Sequence, residues 1–253
     1  METLIFQLQG PLSSWGDAAV GEYRPSAEYP SQSAILGLLA AALGIDRADD
    51  GAHTVLRRGC RMAVGMLSPG RLLRDFHTAQ VPGRVDLKGR PQATRRDELA
   101  LPKQALNTIL STRDYRQDGS FLVAMQAVEG ATHALADLAE ALRYPKFHLY
   151  LGRKACPPDA PLHPCLIDAP DIGSAMRTYL QDLVARQSAA GFHKTRRPAT
   201  IKSIAWGDNF GADDGAMIGV PRHMSVIRKD VVLARNGWQF GDRNEHIALL
   251  EEE

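Results

Sequence analysis

Leu4, Phe6 and Leu8 recur at a spacing of two, the period of a strand with one buried face, and Gly10-Pro11 is expected to end it. Pro30-Ser31 then offers a helix start, with Ser31 or Ser33 able to cap free backbone N–H groups. The block from Ala34 to Leu43 is apolar nearly all round and is closed by Gly44, the residue best suited to a left-handed helix stop. A helix without a polar face predicts burial between a sheet and a further layer. Arg61 to Leu67 alternates, with Met62, Val64 and Met66 on one side, and predicts a second strand. A Ser68-Pro69-Gly70 turn leads to a third over Leu72 to Thr78.

Ala79 to Gly119 is a long polar connection rich in Gly, Pro and Arg, and a compact domain seldom carries such a loop without a use for it. Phe121 to Met125 predicts a fourth strand. Ala131 to Arg143 predicts a helix with Leu135, Leu138, Ala139 and Leu142 on one face, and Phe147 to Leu151 a last short strand ending at Gly152. The order β-α-β-β-(insertion)-β-α-β is that of the split β-α-β, or ferredoxin-like, unit of the α+β class. Beyond Pro157, Ser174 to Gln187 predicts a helix with Met176, Leu180, Leu183 and Val184 on one face. Lys202 to Ala205 and Ser225 to Leu233 predict strands of a small C-terminal part. The chain thus divides into 1–158 and 159–253. A fold of this kind fixes no function by itself.

Composition narrows the class. With 253 residues, 44% hydrophobic and 23% charged, the chain has the make-up of an ordinary globular protein with one large or two small cores. The one long apolar run is about half of what a membrane crossing needs, and no basic-then-apolar leader opens the chain, so a cytoplasmic protein is expected. Three scattered cysteines do not make a disulfide framework. Cys156, His163 and Cys165 lack the spacing and the fourth ligand of a structural zinc site, and no metal or cofactor is expected.

Charge changes the picture more. The net charge is only +1, yet Arg84 to Arg116 carries eight basic residues against four acidic ones, and His193 to Lys202 carries Lys194, Arg196, Arg197 and Lys202 with no acid. Acids gather instead in Asp46–Asp50, Asp208–Asp214 and the Glu251–Glu253 tail. Local basic segments on a near-neutral chain suit a polyanion held along one face. The capped helix after Ser31 also offers bare N–H groups that can hold a phosphate.

Three segments then combine: the Gly10–Gly16 loop with Pro30-Ser31-Gln32-Ser33 and its buried helix, Arg74-Asp75-Phe76-His77-Thr78, and Tyr150-Leu151-Gly152-Arg153-Lys154-Ala155-Cys156-Pro157-Pro158. In this order and at these separations the chain closely resembles the CasD family, subunits of type I-E CRISPR effector complexes within the RAMP superfamily of RNA-binding proteins. The resemblance runs from Leu4 to about Pro158 and resumes at Val220-Pro221-Arg222-His223.

The resemblance implies a subunit that does no chemistry. It would cap the CRISPR RNA, gripping the 5′ handle with an RRM-like palm over 1–158 and a thumb hairpin inserted at about 79–116. Its partners would be the backbone subunit, the large PAM-reading subunit and target DNA within the complex. Gly152, Arg153, Lys154, Tyr150 and Arg24, with Ser31 and Ser33 of the capped helix, are implied on handle phosphates and riboses. Arg90, Arg95, Arg96 and Arg113 of the thumb are implied on the first nucleotides. Trp15 is a candidate for stacking on a base or for packing over the core, and His77 for a structural role or an RNA contact. Single-stranded RNA is held by such phosphate contacts, stacking and base-edge hydrogen bonds. Two stretches depart from the pattern: Asp171–Asp214 has no clear counterpart, and the apolar run Leu99–Leu110, broken by Pro102, suggests a short helix in the thumb. The rival function is metal-independent cleavage of precursor RNA, which needs a base for the 2′-hydroxyl and cations for developing charge, with His77, Tyr115 and Lys103 as candidates.

Overall fold

The N-terminal alternation folds as β1 (Glu2–Ser13), which runs past Gly10-Pro11 rather than stopping there. Beyond Ile5 only one side of β1 is paired along a strand, so Pro11, lacking an N–H, sits where no ladder bond is lost; the residue facing it, Asp118, takes a left-handed conformation (φ 56°). The computed structural model describes residues 1–189, 200–210, 214–220, 223–234 and 239–250. After β1 come β2 (Tyr23–Arg24), α1 (Gln32–Leu43), α2 (Asp50–Arg58), β3 (Cys60–Ser68), β4 (Arg71–Pro82), α3 (Arg95–Leu99), β5 (Leu106–Ala127) and α4 (Leu135–Arg143). Then follow β6 (Cys165–Asp168), α5 (Ile172–Ala189), β7 (Ser203–Gly207), α6 (Asp214–Ile218), β8 (Met224–Ala234) and β9 (Gln239–Leu249).

The strands form one sheet in the order β6-β1-β5-β3-β7-β9-β8, with every neighbouring pair antiparallel; β2 and β4 pair with the outer half of β5. The connection from β1 through α1 and α2 to β3 straddles β5, and that from β5 through α4 to β6 straddles β1, giving two interleaved split β-α-β units. Strands β7, β9 and β8 extend the same sheet from the far side of β3.

Both faces of the central strands are covered. Leu4, Phe6, Leu8, Val64, Phe121 and Val123 pack against α1 and α4, whose buried face is Leu135, Leu138, Ala139 and Leu142 as its spacing predicts. Ile5, Ala63, Leu122 and Ala124 pack on the opposite side against Ile172, Ala175, Met176 and Tyr179 of α5. The expected single buried face of β1 is therefore two, because α5 supplies the second layer. Val184 faces outward on α5, at 43% exposure, instead of joining the predicted stripe. Helix α1 behaves as its sequence predicts: the Ser31 hydroxyl accepts from the Ala34 N–H, and Gly44 closes the helix at φ 76°.

Two expectations fail locally. Phe147 to Leu151 is not a strand; its backbone ties up other elements, and the edge strand beside β1 is Cys165–Asp168. The stretch 106–119 is not loop but the first two-thirds of β5, and the apolar run from Leu99 holds a 3₁₀ turn at Lys103–Ala105 before that strand begins.

Candidate nucleic-acid interface

β4 and β5 form a hairpin paired without a break from Arg71↔Gln117 outward to Pro82↔Leu106. Its outer part stands clear of both cores: Phe76 is 80% exposed, and Ile109 and Leu110 are exposed as well. Where it leaves the body, Asp114 is a buried hub. Its carboxylate accepts from Arg74 Nε (2.9 Å) and Nη2 (3.2 Å) and from the Tyr23 hydroxyl (2.5 Å). Its backbone carbonyl accepts from Ser14 Oγ and from Arg153 Nη1, both at 3.2 Å. The Arg74 hydrogen bonds hold the Asp114 carboxyl below its usual range, while the bond to Asp114 raises the Tyr23 phenol. One residue thus joins β2, β4, β5, the end of β1 and the loop after Leu151.

That loop is locked by close backbone contact. Gly152 has φ 86°, and a Cβ there would lie 1.7 Å from the Ser14 carbonyl oxygen. Ser14 N–H donates to Leu151 O (3.0 Å), Leu151 N–H to Cys156 O (2.7 Å) and Cys156 N–H to Arg153 O (2.8 Å). The close approach that glycine permits here is to the chain's own Ser14. Arg153 is a brace: besides Asp114 O it reaches Arg24 O (3.3 Å) and lies 4.6 Å from the centroid of the Tyr115 ring. Lys154 and Tyr150 flank it on the surface. The preceding Lys146 and Phe147 N–H groups donate to Ala42 O and Ala41 O. They tie this stretch to the last turn of α1, where the Gly44 N–H also reaches Ala41 O (3.2 Å), rather than to a neighbouring strand.

The start of α1 does hold an anion, but an internal one. The Gln32 N–H donates to Asp230 Oδ2 (2.8 Å), so the expectation of free N–H groups for phosphate is corrected. Ser31 is buried and its hydroxyl lies 3.0 Å from that of Ser33; both serve the cap. Asp230 belongs to a buried network in which Arg243 bonds Asp230 (2.6 and 3.0 Å) and Glu245 (2.5 Å), and Arg228 bonds Glu245 (3.0 Å) and stacks 4.4 Å over Tyr29. Tyr29 donates to Glu245 (2.6 Å), and burial followed by the Glu245 charge raises its phenol. The network pins the β8–β9 hairpin to the start of α1.

The remaining predicted residues divide. Trp15 is buried edge-on against Phe121 (centroids 5.5 Å, 88°), so its ring shapes the loop and is no stacking platform. Arg24 is exposed on β2 and folds back on Gly21 O (2.6 Å) and Tyr23 O (3.0 Å). Arg113 donates to Ser111 (3.1 Å) on the hairpin, and His77 lies on β4 with Asp75 at 3.9 Å. Arg90, Arg95 and Arg96 sit at the hairpin's far end. Arg90 is bonded to Ala100 O (2.5 Å), Arg95 to Glu98 (2.6 Å) and to Gln80 O, and Arg96 is exposed.

His77, Tyr115 and Lys103 are spread along the hairpin. Tyr115 faces Leu73 and His77 faces Ser111, an offset of roughly 13 Å along the strands, and Lys103 lies beyond the last pair. Cys156 is buried in the first core, and among the described residues no three His, Cys, Asp or Glu side chains are placed to share a metal ion. No helix among them is long and apolar enough to cross a membrane. The basic run from His193 lies outside the described residues apart from Lys202, as do Pro221 and Arg222. Sequence reasoning missed Tyr23, Asp114, Asp230 and Arg243, whose partners are far away along the chain.

The same frame occurs in known proteins. Residues 3–215 match the family described as CRISPR-associated protein (Cas_Cas5). The chain is 30% identical over 233 residues to the CRISPR system Cascade subunit CasD of Escherichia coli (strain K12), spanning 88% of this chain and 92% of that one. A chain of a solved CRISPR RNA-guided surveillance complex superposes with a TM-score of 0.61 at 25% identity, covering 98% of this chain and 89% of the other. A crystal structure of a Cas protein shares the fold at TM-score 0.59 and 24% identity, covering 98% and 94%. With a family match over most of its length and a relative at this identity across nearly all of it, the chain belongs to the Cas5 family of CRISPR-associated proteins.

Proposed function

We propose that this chain is the type I-E CasD subunit of a CRISPR surveillance complex, one that binds the CRISPR RNA at its 5′ handle and performs no cleavage. In this assignment β6-β1-β5-β3 with α1 and α4 is a ferredoxin-like palm, and the β4–β5 hairpin with its 83–105 connection is the thumb. The subunit links the backbone subunit on the guide to the large PAM-reading subunit.

The observation that carries the proposal is the junction of loop and hairpin. Arg153 ties the Gly152 loop to Asp114 O, Arg24 O and the Tyr115 ring, so Lys154, Tyr150 and Arg24 are presented together at the foot of a protruding hairpin. A rigid cationic and aromatic edge beside an extended arm suits a single strand whose direction changes there. The lack of convergence among His77, Tyr115 and Lys103 supports the non-catalytic assignment, since 2′-hydroxyl attack needs base and cation within hydrogen-bond reach of one phosphate.

The test is to purify the complex carrying Arg153→Ala and Lys154→Ala, and beside it Lys154→Ala alone, which removes a cation while leaving the Arg153 brace in place. RNA retention is expected to weaken, with a flatter dependence on salt as phosphate contacts are lost. Unchanged RNA occupancy and assembly would refute it. Incubation of the chain with repeat RNA in EDTA is expected to leave the RNA intact, and specific cleavage abolished by His77→Ala would establish the ribonuclease instead.

A further inference from the structure

On the surface next to the Gly152 loop lies a groove of about 610 Å³, within the range of small-ligand sites. Its walls are the two segments that flank that loop, 142–149 on one side and 158–165 on the other, with Arg186 of α5 at one end. We infer that this groove seats a nucleotide of single-stranded RNA, its base against Phe147 and Tyr144 and its phosphate near Lys146 and Arg186. The inference rests on the RNA-binding assignment above and extends it to a surface that assignment does not use.

Three observations converge. The first is charge: Arg143, Lys146 and Arg186 line the groove together with His148 and His163, and among the described residues no carboxylate does. Arg143 is partly engaged, bonding Pro164 O (2.9 Å) and lying 3.4 Å from Glu140, which leaves Lys146 and Arg186 as the cations for a phosphate. The second is the exposure of two large rings, Tyr144 at 74% and Phe147 at 51%, beside those cations. Exposed aromatics next to basic side chains are how single-stranded nucleic acid is held without reading sequence.

The third is rigidity. Phe147 N–H is tied to Ala41 O (3.1 Å), Gln7 Nε2 donates to Pro161 O (2.8 Å), and the Tyr179 hydroxyl donates to His163 O (3.0 Å). Both walls are fastened to the core, so a ligand need not order them, which lowers the cost of binding. An acidic protein segment would answer the charge but gives no reason for two outward-facing rings.

The experiment uses the full chain and single-stranded repeat RNA carrying 4-thiouridine, crosslinked by light and mapped by peptide mass spectrometry. Crosslinks within 144–149 are expected, and Tyr144→Ala with Phe147→Ala should weaken RNA binding about tenfold. Crosslinks confined to the Gly152 loop or the hairpin, with the double variant binding like the parent, would overturn the groove while leaving RNA binding intact. Failure of the parent to bind RNA at all would overturn both. Should the double variant melt early, Lys146→Gln with Arg186→Gln decides. It is expected to lower the slope of log affinity against log salt by about 0.7, the value for one single-strand phosphate contact. An unchanged slope, or the loss of a protein partner without loss of RNA, refutes the inference.

Discussion

Replacing Gly152 by Ala separates a backbone preference from a steric contact, because Gly130 provides a matched control. Gly130 has φ 75° and nothing within 4 Å of where its Cβ would be, whereas Gly152 has φ 86° and the Ser14 carbonyl oxygen at 1.7 Å. Gly130→Ala therefore carries only the cost of a left-handed L-residue, about 1–2 kcal/mol. Gly152→Ala carries that cost and must also open the contact to at least the 3.0 Å that real Cβ atoms keep, a shift of 1.3 Å. A shift of that size breaks the Ser14 N–H bond to Leu151 O (3.0 Å) and the Arg153 bond to Asp114 O (3.2 Å). Each such bond contributes about 1 kcal/mol net, so the expected loss is about 3–4 kcal/mol. For a chain of this size that lowers Tm by about 6–16 °C, against about 2–8 °C for Gly130→Ala. Thermal melting by circular dichroism reads both, and RNA retention should fall for Gly152→Ala alone. Equal Tm shifts for the two variants would show that the loop accommodates a methyl group and that its lock on Ser14 is not what holds it.

Asp114→Asn keeps the shape of the hub and removes its charge. Because Arg74 is half exposed, about 1–2 kcal/mol is expected in urea denaturation at neutral pH. The folded Asp114 carboxyl titrates below its unfolded value of 3.8, so its contribution is complete above that pH and is lost as pH falls through the lower, folded pKa. The gap between parent and variant should thus be constant from pH 7 to about pH 5 and close only in more acid solution; a gap that closes near neutrality refutes the assignment. Arg243→Ala takes the closest cation from Asp230 and one of two from Glu245, both nearly buried; Arg228 stays on Glu245 (3.0 Å), so about 3 kcal/mol is expected, the low end for a broken buried pair. Hydrogen exchange should speed up in β8, β9 and the first turn of α1 together, and exchange confined to β9 would disprove the coupling.

The parts of the fold that were legible in sequence are those whose cause is local. Ser31 and Gly44 bracket α1 because capping and a left-handed stop act within a few residues, and α4 shows its buried face because Leu135, Leu138 and Leu142 repeat at the helical period. The outer half of β5 was hidden for a physical reason. Asn107, Thr108, Ser111 and Thr112 pair with β4 away from either core, so no periodic burial marks them as a strand. Phe147 to Leu151 misled in the opposite sense, since its alternation reflects anchoring to α1 and β1 rather than a ladder. At the site, Gly152, Arg153 and Lys154 were legible as a motif, but the contacts of Arg153 were not. Asp114 meets Tyr23 across 91 positions and Arg74 across 40, and Asp230 meets Gln32 across 198. Carboxylates paired over such separations leave no trace in local spacing.

β5 is a single strand of 22 residues, about 70 Å long, whose inner third is sealed in the cores and whose outer half is an arm. Because side chains alternate along it, Phe76 and His77 mark opposite faces of that arm, and each keeps its face only by counting residues from Asp114. One residue added to both strands outside Asp114 would turn the far arm over, presenting Phe76 where His77 had been; two would lengthen it and leave its faces as they were. Lineages built on this frame can therefore vary the reach of the arm in even steps, or place odd changes in the 83–105 connection, without disturbing what the arm presents to its neighbours.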